Sequence, residues 1–190
     1  TVIINCGALT NVDGCETQRD LAMAINAVGP KYLAEIARDQ DMVLVQVSTD
    51  YVFDGAGIIK DGELRPYQET DPVDPKTVYG ESKAAGEKAV AETTPKHFIV
   101  RTAWLYGDGN NFVKTMLELA AKHPQLTVVN DQVGSPTSTV DLAAAIIDLI
   151  ETDHYGIYHG TCEGQCSWYD FALEIFRLSG IDIPVAAVTS

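Results

Sequence analysis

Two residues four positions apart, Tyr79 and Lys83, have the side chains that a proton-transfer site needs. The segment 82–91, SKAAGEKAVA, is rich in Ala, Glu and Lys and predicts a helix. Residues four apart on a helix share a face, so both side chains should point into one space. Because a nearby ammonium favours an ionised phenol, we expect Lys83 to lower the pKa of Tyr79 from about 10. Such a phenol can exchange a proton with a carbonyl or alcohol oxygen near neutral pH.

A strand that ends in hydroxyl residues precedes this helix. Residues 42–47 form a nearly continuous apolar, β-branched run, and Ser48 and Thr49 follow it directly. The Tyr-Lys spacing alone is equally typical of an ordinary surface helix. Together with a hydroxyl at the end of the strand, it predicts a Ser/Thr–Tyr–Lys site for acid–base chemistry.

Composition and charge exclude several classes of function. The chain has 190 residues, 46% hydrophobic and 21% charged, with a formal net charge of −14. This acidic balance argues against non-specific nucleic-acid binding, which needs basic surface. The sequence contains no apolar run of the roughly 20 residues that a membrane span requires, and no secretory signal. We therefore expect a soluble, cytoplasmic protein. The four cysteines lack zinc-site spacing and are expected to be reduced: Cys6, Cys15, Cys162 and Cys166.

Strands and helices alternate along the first half of the chain at the spacing of right-handed βαβ units. This pattern predicts the α/β class, with a partial Rossmann-like, doubly wound parallel sheet followed by a smaller α/β lobe. Pro30 should mark a kink or boundary in the first long helix. A polar loop is expected from the end of the second strand to about Val78. The predicted strands are 2–5, 42–47 and 97–102, and the predicted helices are 17–38 and 82–91.

Neither end of the sequence resembles a natural terminus. The chain opens directly in a strand without an initiator Met, and it ends shortly after an apolar stretch. We therefore expect an internal piece of a longer protein. Consistent with this, the sequence lacks the glycine-rich turn that binds a dinucleotide pyrophosphate.

Five segments together resemble the extended short-chain dehydrogenase/reductase family, and within it the reductases of nucleotide-linked 4-keto-6-deoxy sugars. They occur in the family's order over most of the chain. The segments are 5–13 (NCGALTNVD), 47–55 (VSTDYVFDG), 79–87 (YGESKAAGE), 101–107 (RTAWLYG) and 130–137 (NDQVGSPT).

The resemblance implies an oxidoreductase that reduces the C4 ketone of dTDP-4-dehydro-6-deoxy-L-mannose to dTDP-L-rhamnose, with NADPH or NADH, for cell-surface polysaccharide. It implies that residues 1–107 are the C-terminal part of an NAD(P)-binding domain. Residues 108–190 would form most of a substrate-binding lobe, with segments returning to the first domain.

The resemblance also assigns roles to individual residues. Tyr79 matches the general acid. Lys83 matches the residue that binds the nicotinamide ribose and lowers the tyrosine pKa. Thr49 matches the residue whose hydroxyl holds the substrate oxygen. Asp50 and Trp104 match substrate-contacting positions. The remaining matches are the cofactor-lining residues Gly7, Ala8, Thr10 and Val47, and Asn26, a helix asparagine that supports the active-site strand.

Three other functions are alternatives to the reductase. Nucleotide-sugar 4,6-dehydratases carry a glutamate where this chain has Tyr51, and a tyrosine cannot supply a carboxylate base, so reduction fits better than dehydration. A non-catalytic, NADP-binding regulatory subunit similar to the methionine adenosyltransferase β subunit stays open, because fold alone does not fix function. An epimerase acting on another nucleotide sugar also stays open.

The expected partners are a dTDP-sugar, with no nucleic acid and no membrane, and the resemblance allows a homodimer. Some relatives bind magnesium at a dimer interface. The acidic residues Asp13, Glu16 and Asp20 do not fix such a site, so no residue is assigned to a metal.

Overall fold

The computed structural model describes residues 1–60 and 62–190, and the chain divides into two compact units. The first unit contains residues 1–102 and 145–160, and the second contains residues 103–144 and 161–190. The elements of residues 1–102 are β1 (Val2–Asn5), α1 (Val12–Thr17), α2 (Arg19–Met23), a π-helical segment (Ala24–Val28), α3 (Gly29–Asp39), β2 (Val43–Thr49), a 3-10 turn (Asp50–Val52), β3 (Ile58–Lys60), β4 (Glu63–Arg65), α4 (Val78–Thr93) and β5 (His97–Thr102).

The later part of the chain has short strands around three helices. None of the helices in the described part of the chain is long and apolar enough to cross a membrane. The elements are β6 (Leu105–Tyr106), α5 (Phe112–Lys122), β7 (Leu126–Val129), β8 (Val133–Gly134), β9 (Thr137–Ser138), α6 (Thr139–Ile150), β10 (Gly156–His159), β11 (Cys166–Ser167), α7 (Trp168–Ser179) and β12 (Val185–Val188).

The first unit is built on a parallel sheet with strand order β1-β2-β5-β10. Its central strands are apolar and β-branched, as expected for strands covered on both faces. On one face, Leu44 and Ile99 pack against Ala34 and Ala37 of α3 and Val90 of α4. The predicted α/β class with a Rossmann-like parallel sheet is confirmed.

Two local predictions need correction. The helix predicted over residues 17–38 is divided into α2, the π-helical segment and α3. Pro30 lies in the first turn of α3, so the prediction that it marks a boundary holds. The predicted polar loop contains the β3–β4 hairpin, whose pairs run from Ile58–Arg65 to Lys60–Glu63. Asp61, within that loop, lies outside the described residues.

Helix α4 approaches two other backbone segments very closely, because two of its positions are glycines. A Cβ added to Gly86 would lie 2.2 Å from the carbonyl oxygen of Asn26 in the π-helical segment. A Cβ on Gly80 would lie 2.2 Å from the carbonyl oxygen of Tyr51 in the 3-10 turn. No side chain fits at either position, so these glycines set how closely α4 packs.

A buried ion pair joins α4 to the sheet. The Arg101 guanidinium donates to both carboxylate oxygens of Glu87, with the shortest distance 2.7 Å, and the two side chains are only 5% and 6% exposed. The Arg101 side chain also lies 5.1 Å from the ring centre of Phe53 and donates to the Glu69 carbonyl. Residues that follow the 3-10 turn are therefore anchored to β5.

The second unit has its own core, in which α5 and α7 pack beside the parallel pair β7–β12. Helix α7 begins with a capping box between Ser167 and Asp170, and it ends at Gly180, whose φ of 65° suits glycine. The buried apolar residues of this core are Met116, Val128, Ala172, Ile175 and Phe176.

We expect Gly86→Ala to destabilise the protein by about 1–3 kcal/mol, because the added methyl overlaps the Asn26 carbonyl. Helix propensity alone gives the opposite sign, a gain of about 1 kcal/mol. Urea unfolding followed by circular dichroism measures the difference. Ala91→Gly, at an exposed position of the same helix, should cost about 1 kcal/mol by propensity alone. A stabilising Gly86→Ala would contradict the close packing.

We expect Arg101→Met to lower the free energy of unfolding by about 3–5 kcal/mol, because it leaves the Glu87 carboxylate buried without its partner. The matched control is Arg177→Met, which removes an exposed pair with Glu174 and should cost less than about 1 kcal/mol. If both variants lost the same free energy of unfolding, the buried pair would contribute no more to stability than the exposed one.

Candidate active site

Several predicted site residues of the first unit lie at or just after the carboxyl ends of β1 and β2, at one edge of the parallel sheet, and Tyr79 and Lys83 lie on α4. This edge is where open α/β sheets bind ligands. Thr49 is the last residue of β2 and is buried. Gly7 and Thr10, which follow β1, are exposed, and Ala8 is partly exposed.

Thr49 and Asp50 are tied to each other at the start of the 3-10 turn. The Thr49 hydroxyl accepts a hydrogen bond from the Tyr51 N–H at 3.3 Å and donates to Oδ1 of Asp50 at 3.1 Å. Burial raises the pKa of Asp50, although the Thr49 hydrogen bond partly opposes it. A raised pKa favours a protonated carboxyl next to the strand end.

Helix α4 carries both Tyr79 and Lys83, and its start is fixed by two side chains. The Thr77 hydroxyl accepts from the Gly80 N–H at 3.0 Å, and Glu16 accepts from the Val78 N–H at 2.9 Å. These contacts satisfy N–H groups that have no partner within the helix. Tyr79, in the first turn, is therefore held in a fixed position.

Lys83 reaches from α4 to the backbone of β2. Its ammonium donates to the carbonyl oxygen of Val47 at 2.7 Å, and the residue is only 5% exposed. Burial lowers the pKa of Lys83 to about 8, while the nearby charge of Glu87 opposes this effect. The lysine is therefore mostly charged at pH 7 and loses its charge as the pH rises through about 8.

The pKa of Tyr79 is raised, so the expected lowering by Lys83 is wrong for this structure. Burial is the largest cause, the charges of Asp50, Tyr51 and Cys15 add to it, and a hydrogen bond with Thr49 opposes it. The sequence placed Lys83 on the correct helix, but it could not show that the Val47 carbonyl would bind the ammonium. Tyr79 consequently keeps its proton at neutral pH.

Tyr51 lies beside Tyr79. The two rings meet edge to face, with centres 5.5 Å apart. Gly80 permits this contact by allowing α4 to touch the 3-10 turn. From the sequence, Tyr51 served only to exclude dehydration, and Gly86 within the predicted helix 82–91 was an available signal of close packing.

Asn26 supports the loop after β1. The resemblance predicted that it would support the active-site strand, but its hydrogen-bond partners lie in that loop and on α4. Its side chain accepts from the Leu9 N–H at 2.8 Å, donates to the Leu9 carbonyl at 3.0 Å, and donates to the Ser82 hydroxyl at 2.9 Å. Asn26 is 1% exposed within the π-helical segment. It therefore links the loop that contains Ala8 and Thr10 to α4.

The residues present fit the nicotinamide-ribose end of a dinucleotide. Lys83 has three ammonium protons, and its bond to Val47 uses one, which leaves donors for a hydroxyl group. Gly7 adds no side-chain bulk at the end of β1, and its N–H is bonded to Asn5. The sequence offers no glycine-rich turn for the pyrophosphate.

Trp104 belongs to the second unit. Its ring stacks on Trp168, with centres 3.4 Å apart and an interplanar angle of 10°, and its φ of 48° is unusual for a bulky residue. A Cβ at position 134 would lie 2.5 Å from the Trp104 indole, so only a glycine at this position leaves room for the Trp104 ring. This packing holds the ring in one orientation.

Within residues 1–60 and 62–190, no group of three or more His, Cys, Asp or Glu side chains is arranged to hold a metal ion. Of the acidic residues considered in the sequence, Glu16 caps α4 and Asp13 lies in the first turn of α1.

Known proteins resemble the chain along its full length. A dTDP-4-dehydrorhamnose reductase of Aggregatibacter actinomycetemcomitans is 48% identical over 182 residues, which is 92% of this chain and 60% of the relative. The structure of a Clostridium acetobutylicum dTDP-4-dehydrorhamnose reductase matches with a TM-score of 0.95 and 56% identity, over 100% of this chain and 65% of that one. The structure of a Bacillus anthracis dTDP-4-dehydrorhamnose reductase in complex with NADP matches with a TM-score of 0.93 and 45% identity. The match covers 100% of this chain and 66% of that one.

The chain spans 60–65% of the length of the first curated relatives that it matches. The family described as the RmlD substrate binding domain matches residues 1–190. The chain therefore belongs to the RmlD substrate-binding-domain family.

Proposed function

We propose that the chain carries the catalytic residues of a reductase that converts dTDP-4-dehydro-6-deoxy-L-mannose into dTDP-L-rhamnose with NADPH or NADH. The observation that carries this proposal is the placement of Thr49 at the end of β2, next to the helix α4 that holds Tyr79 and Lys83, with the Lys83 ammonium bonded to the Val47 carbonyl. The names of the relatives and the NADP bound to one of them support the same activity.

Tyr79 acts as the general acid. Reduction of a ketone builds negative charge on its oxygen, and donors fixed in advance around that oxygen lower the barrier. Tyr79 gives its proton to this oxygen, and the Thr49 hydroxyl holds the oxygen towards Tyr79. The bound nicotinamide supplies the hydride.

Lys83 binds the ribose of the cofactor, and the backbone around Gly7, Ala8 and Thr10 lines the same ligand. Val47 would line the site of the nicotinamide, and the bond between its carbonyl and Lys83 fixes the ammonium. Asp50 and Trp104 contact the sugar. Tyr51 stands where dehydration would need a carboxylate base, so reduction is favoured.

The direct test is an assay of the full-length protein with dTDP-4-dehydro-6-deoxy-L-mannose generated in place. Loss of the absorbance of NADPH or NADH, with formation of dTDP-L-rhamnose, supports the reductase. Tight cofactor binding without turnover would favour a regulatory subunit. Conversion of other nucleotide sugars without net cofactor consumption would favour an epimerase.

We expect Tyr79→Phe to reduce turnover by about 10²–10⁴-fold while cofactor binding is retained, because the variant keeps the ring and loses only the donated proton. Steady-state kinetics and a cofactor titration measure the two effects separately. Tyr32→Phe, at an exposed position of α3, is the matched control and should behave as wild type. Wild-type turnover in Tyr79→Phe would remove this residue from the mechanism.

We expect Lys83→Met to weaken cofactor binding without lowering stability at pH 7. The pKa of Lys83 in the folded protein, about 8, lies below the ordinary value of 10.5, so folding favours the neutral amine. Below about pH 8 the buried charge costs roughly 3 kcal/mol, and this cost disappears as the pH rises towards 10.5. The Val47 carbonyl keeps a hydrogen bond from Gln46 in the variant.

Urea unfolding of wild type and Lys83→Met at several pH values tests this expectation. The advantage of the variant should be largest below pH 8 and should decrease at higher pH. The control is Lys88→Met, which changes an exposed lysine of the same helix and should give a pH-independent difference. A variant that is less stable than wild type at pH 7 would contradict the cost assigned to the buried charge.

A further inference from the structure

We propose that Gln46 is a positioning residue for the groups that hold the nicotinamide-ribose end of the cofactor. In one direction it acts through Asn5 on the turn at Gly7. In the other direction it acts through the Val47 carbonyl on Lys83. The inference rests on the proposed function, and it adds a buried residue behind those that line the cofactor.

Gln46 is a polar residue in the interior of an apolar strand. It lies in β2 between Val45 and Val47, and it is only 2% exposed. A buried amide costs free energy unless its hydrogen bonds are formed. An apolar side chain of similar size would fill the same space without this cost. The hydrogen-bond partners of Gln46 therefore indicate what the amide contributes.

Hydrogen bonds connect Gln46 to the turn after β1. Its Oε1 accepts from Nδ2 of Asn5 at 2.7 Å, and the two residues are paired in the β1–β2 register. Oδ1 of Asn5 in turn accepts from the Gly7 N–H at 3.1 Å. Gly7 is exposed at the strand end where open α/β sheets bind ligands. The two amides therefore hold the turn that would line the cofactor.

On its other side, Gln46 shares an acceptor with Lys83. Nε2 of Gln46 donates to the carbonyl oxygen of Val47 at 2.9 Å, and the Lys83 ammonium donates to the same oxygen at 2.7 Å. A carbonyl oxygen accepts best along its two lone-pair directions, so the Gln46 bond limits the directions from which the ammonium can approach. The remaining ammonium protons are thereby held in a narrow range of orientations for a ribose hydroxyl.

The two ends of this path set the orientation of both amides. The Gly7 N–H can only donate, so Asn5 faces it with Oδ1 and turns Nδ2 towards Gln46. The Val47 carbonyl can only accept, so Gln46 faces it with Nε2 and turns Oε1 towards Asn5. Reversing either amide would place two donors or two acceptors in contact. The path therefore has one arrangement, which is what support of a ligand-binding group requires.

The test is a titration of the full-length protein and its Gln46→Met variant with NADPH and with NADH. Methionine keeps the length of the side chain and removes both hydrogen bonds. Neither partner is left buried and unpaired, because Lys83 still donates to Val47 and Asn5 is partly exposed to water. We expect the cofactor dissociation constant to rise about five- to tenfold. KM for the cofactor should rise by a similar factor, while kcat stays within about twofold.

Leu44→Met is the matched control, because it places a methionine at a buried position on the same face of the same strand. It changes packing and removes no hydrogen bond, so cofactor affinity should match wild type. Urea unfolding compares the stability of the two variants. If Gln46→Met lowers kcat and the urea midpoint together, its role is structural and the inference is overturned. Cofactor affinity equal to that of wild type would also overturn it.

Asn5→Ala tests the same path from its other end and does not depend on the folding of Gln46→Met. It releases the Gly7 N–H and removes the donor to Gln46, so it should weaken cofactor binding by a similar factor. Because both substitutions interrupt one path, the double variant should bind about as the weaker single variant does. If the two effects multiplied in full, the residues would act independently and the path would be wrong.

Failure of the proposed function gives a different result. If wild type binds the cofactor without reducing the sugar, the reductase is wrong, while the titrations of the variants still support or overturn the role of Gln46. If wild type binds neither NADPH nor NADH, both proposals are wrong.

Discussion

The close packing of α4 is the constraint on which the rest of the first unit depends. Gly80 brings the helix against the carbonyl of Tyr51, and Gly86 brings it against the carbonyl of Asn26. Only at this distance does Lys83 reach the Val47 carbonyl and Glu87 reach Arg101. Two residues that weaken an isolated helix by about 1 kcal/mol each therefore make its functional contacts available.

This packing has an electrostatic consequence. The helix carries an ammonium and a carboxylate four positions apart into the same buried layer, at Lys83 and Glu87. Arg101 satisfies Glu87 with several hydrogen bonds, so this buried carboxylate has a partner of opposite charge. Among the described residues Lys83 has a backbone carbonyl and no direct carboxylate partner, so burial dominates and its pKa falls. Lys83 therefore changes its charge near pH 8, whereas Glu87 serves as the structural partner of Arg101.

The sequence predicted the elements with clear periodicity, including β5, and the helix that holds Tyr79 and Lys83. It missed the π-helical segment, because the residues AINAV at 24–28 are equally compatible with an ordinary α-helix. It also misjudged the pKa of Tyr79, because spacing on a helix shows which side chains share a face but not which acceptor a long lysine chooses. The domain boundary at residue 107 and the roles of Gly7, Ala8, Thr10 and Trp104 stay predictions.

The raised pKa of Tyr79 bears on the direction of proton transfer. A phenol with a lowered pKa would be partly ionised and could act as a base, whereas a buried phenol retains its proton. Reduction of a ketone requires the protonated form, because the developing alkoxide must receive a proton. Burial shifts the Asp50 pKa up and the Lys83 pKa down, so it favours the neutral form of each. A buried, tightly packed site therefore favours a tyrosine that donates its proton.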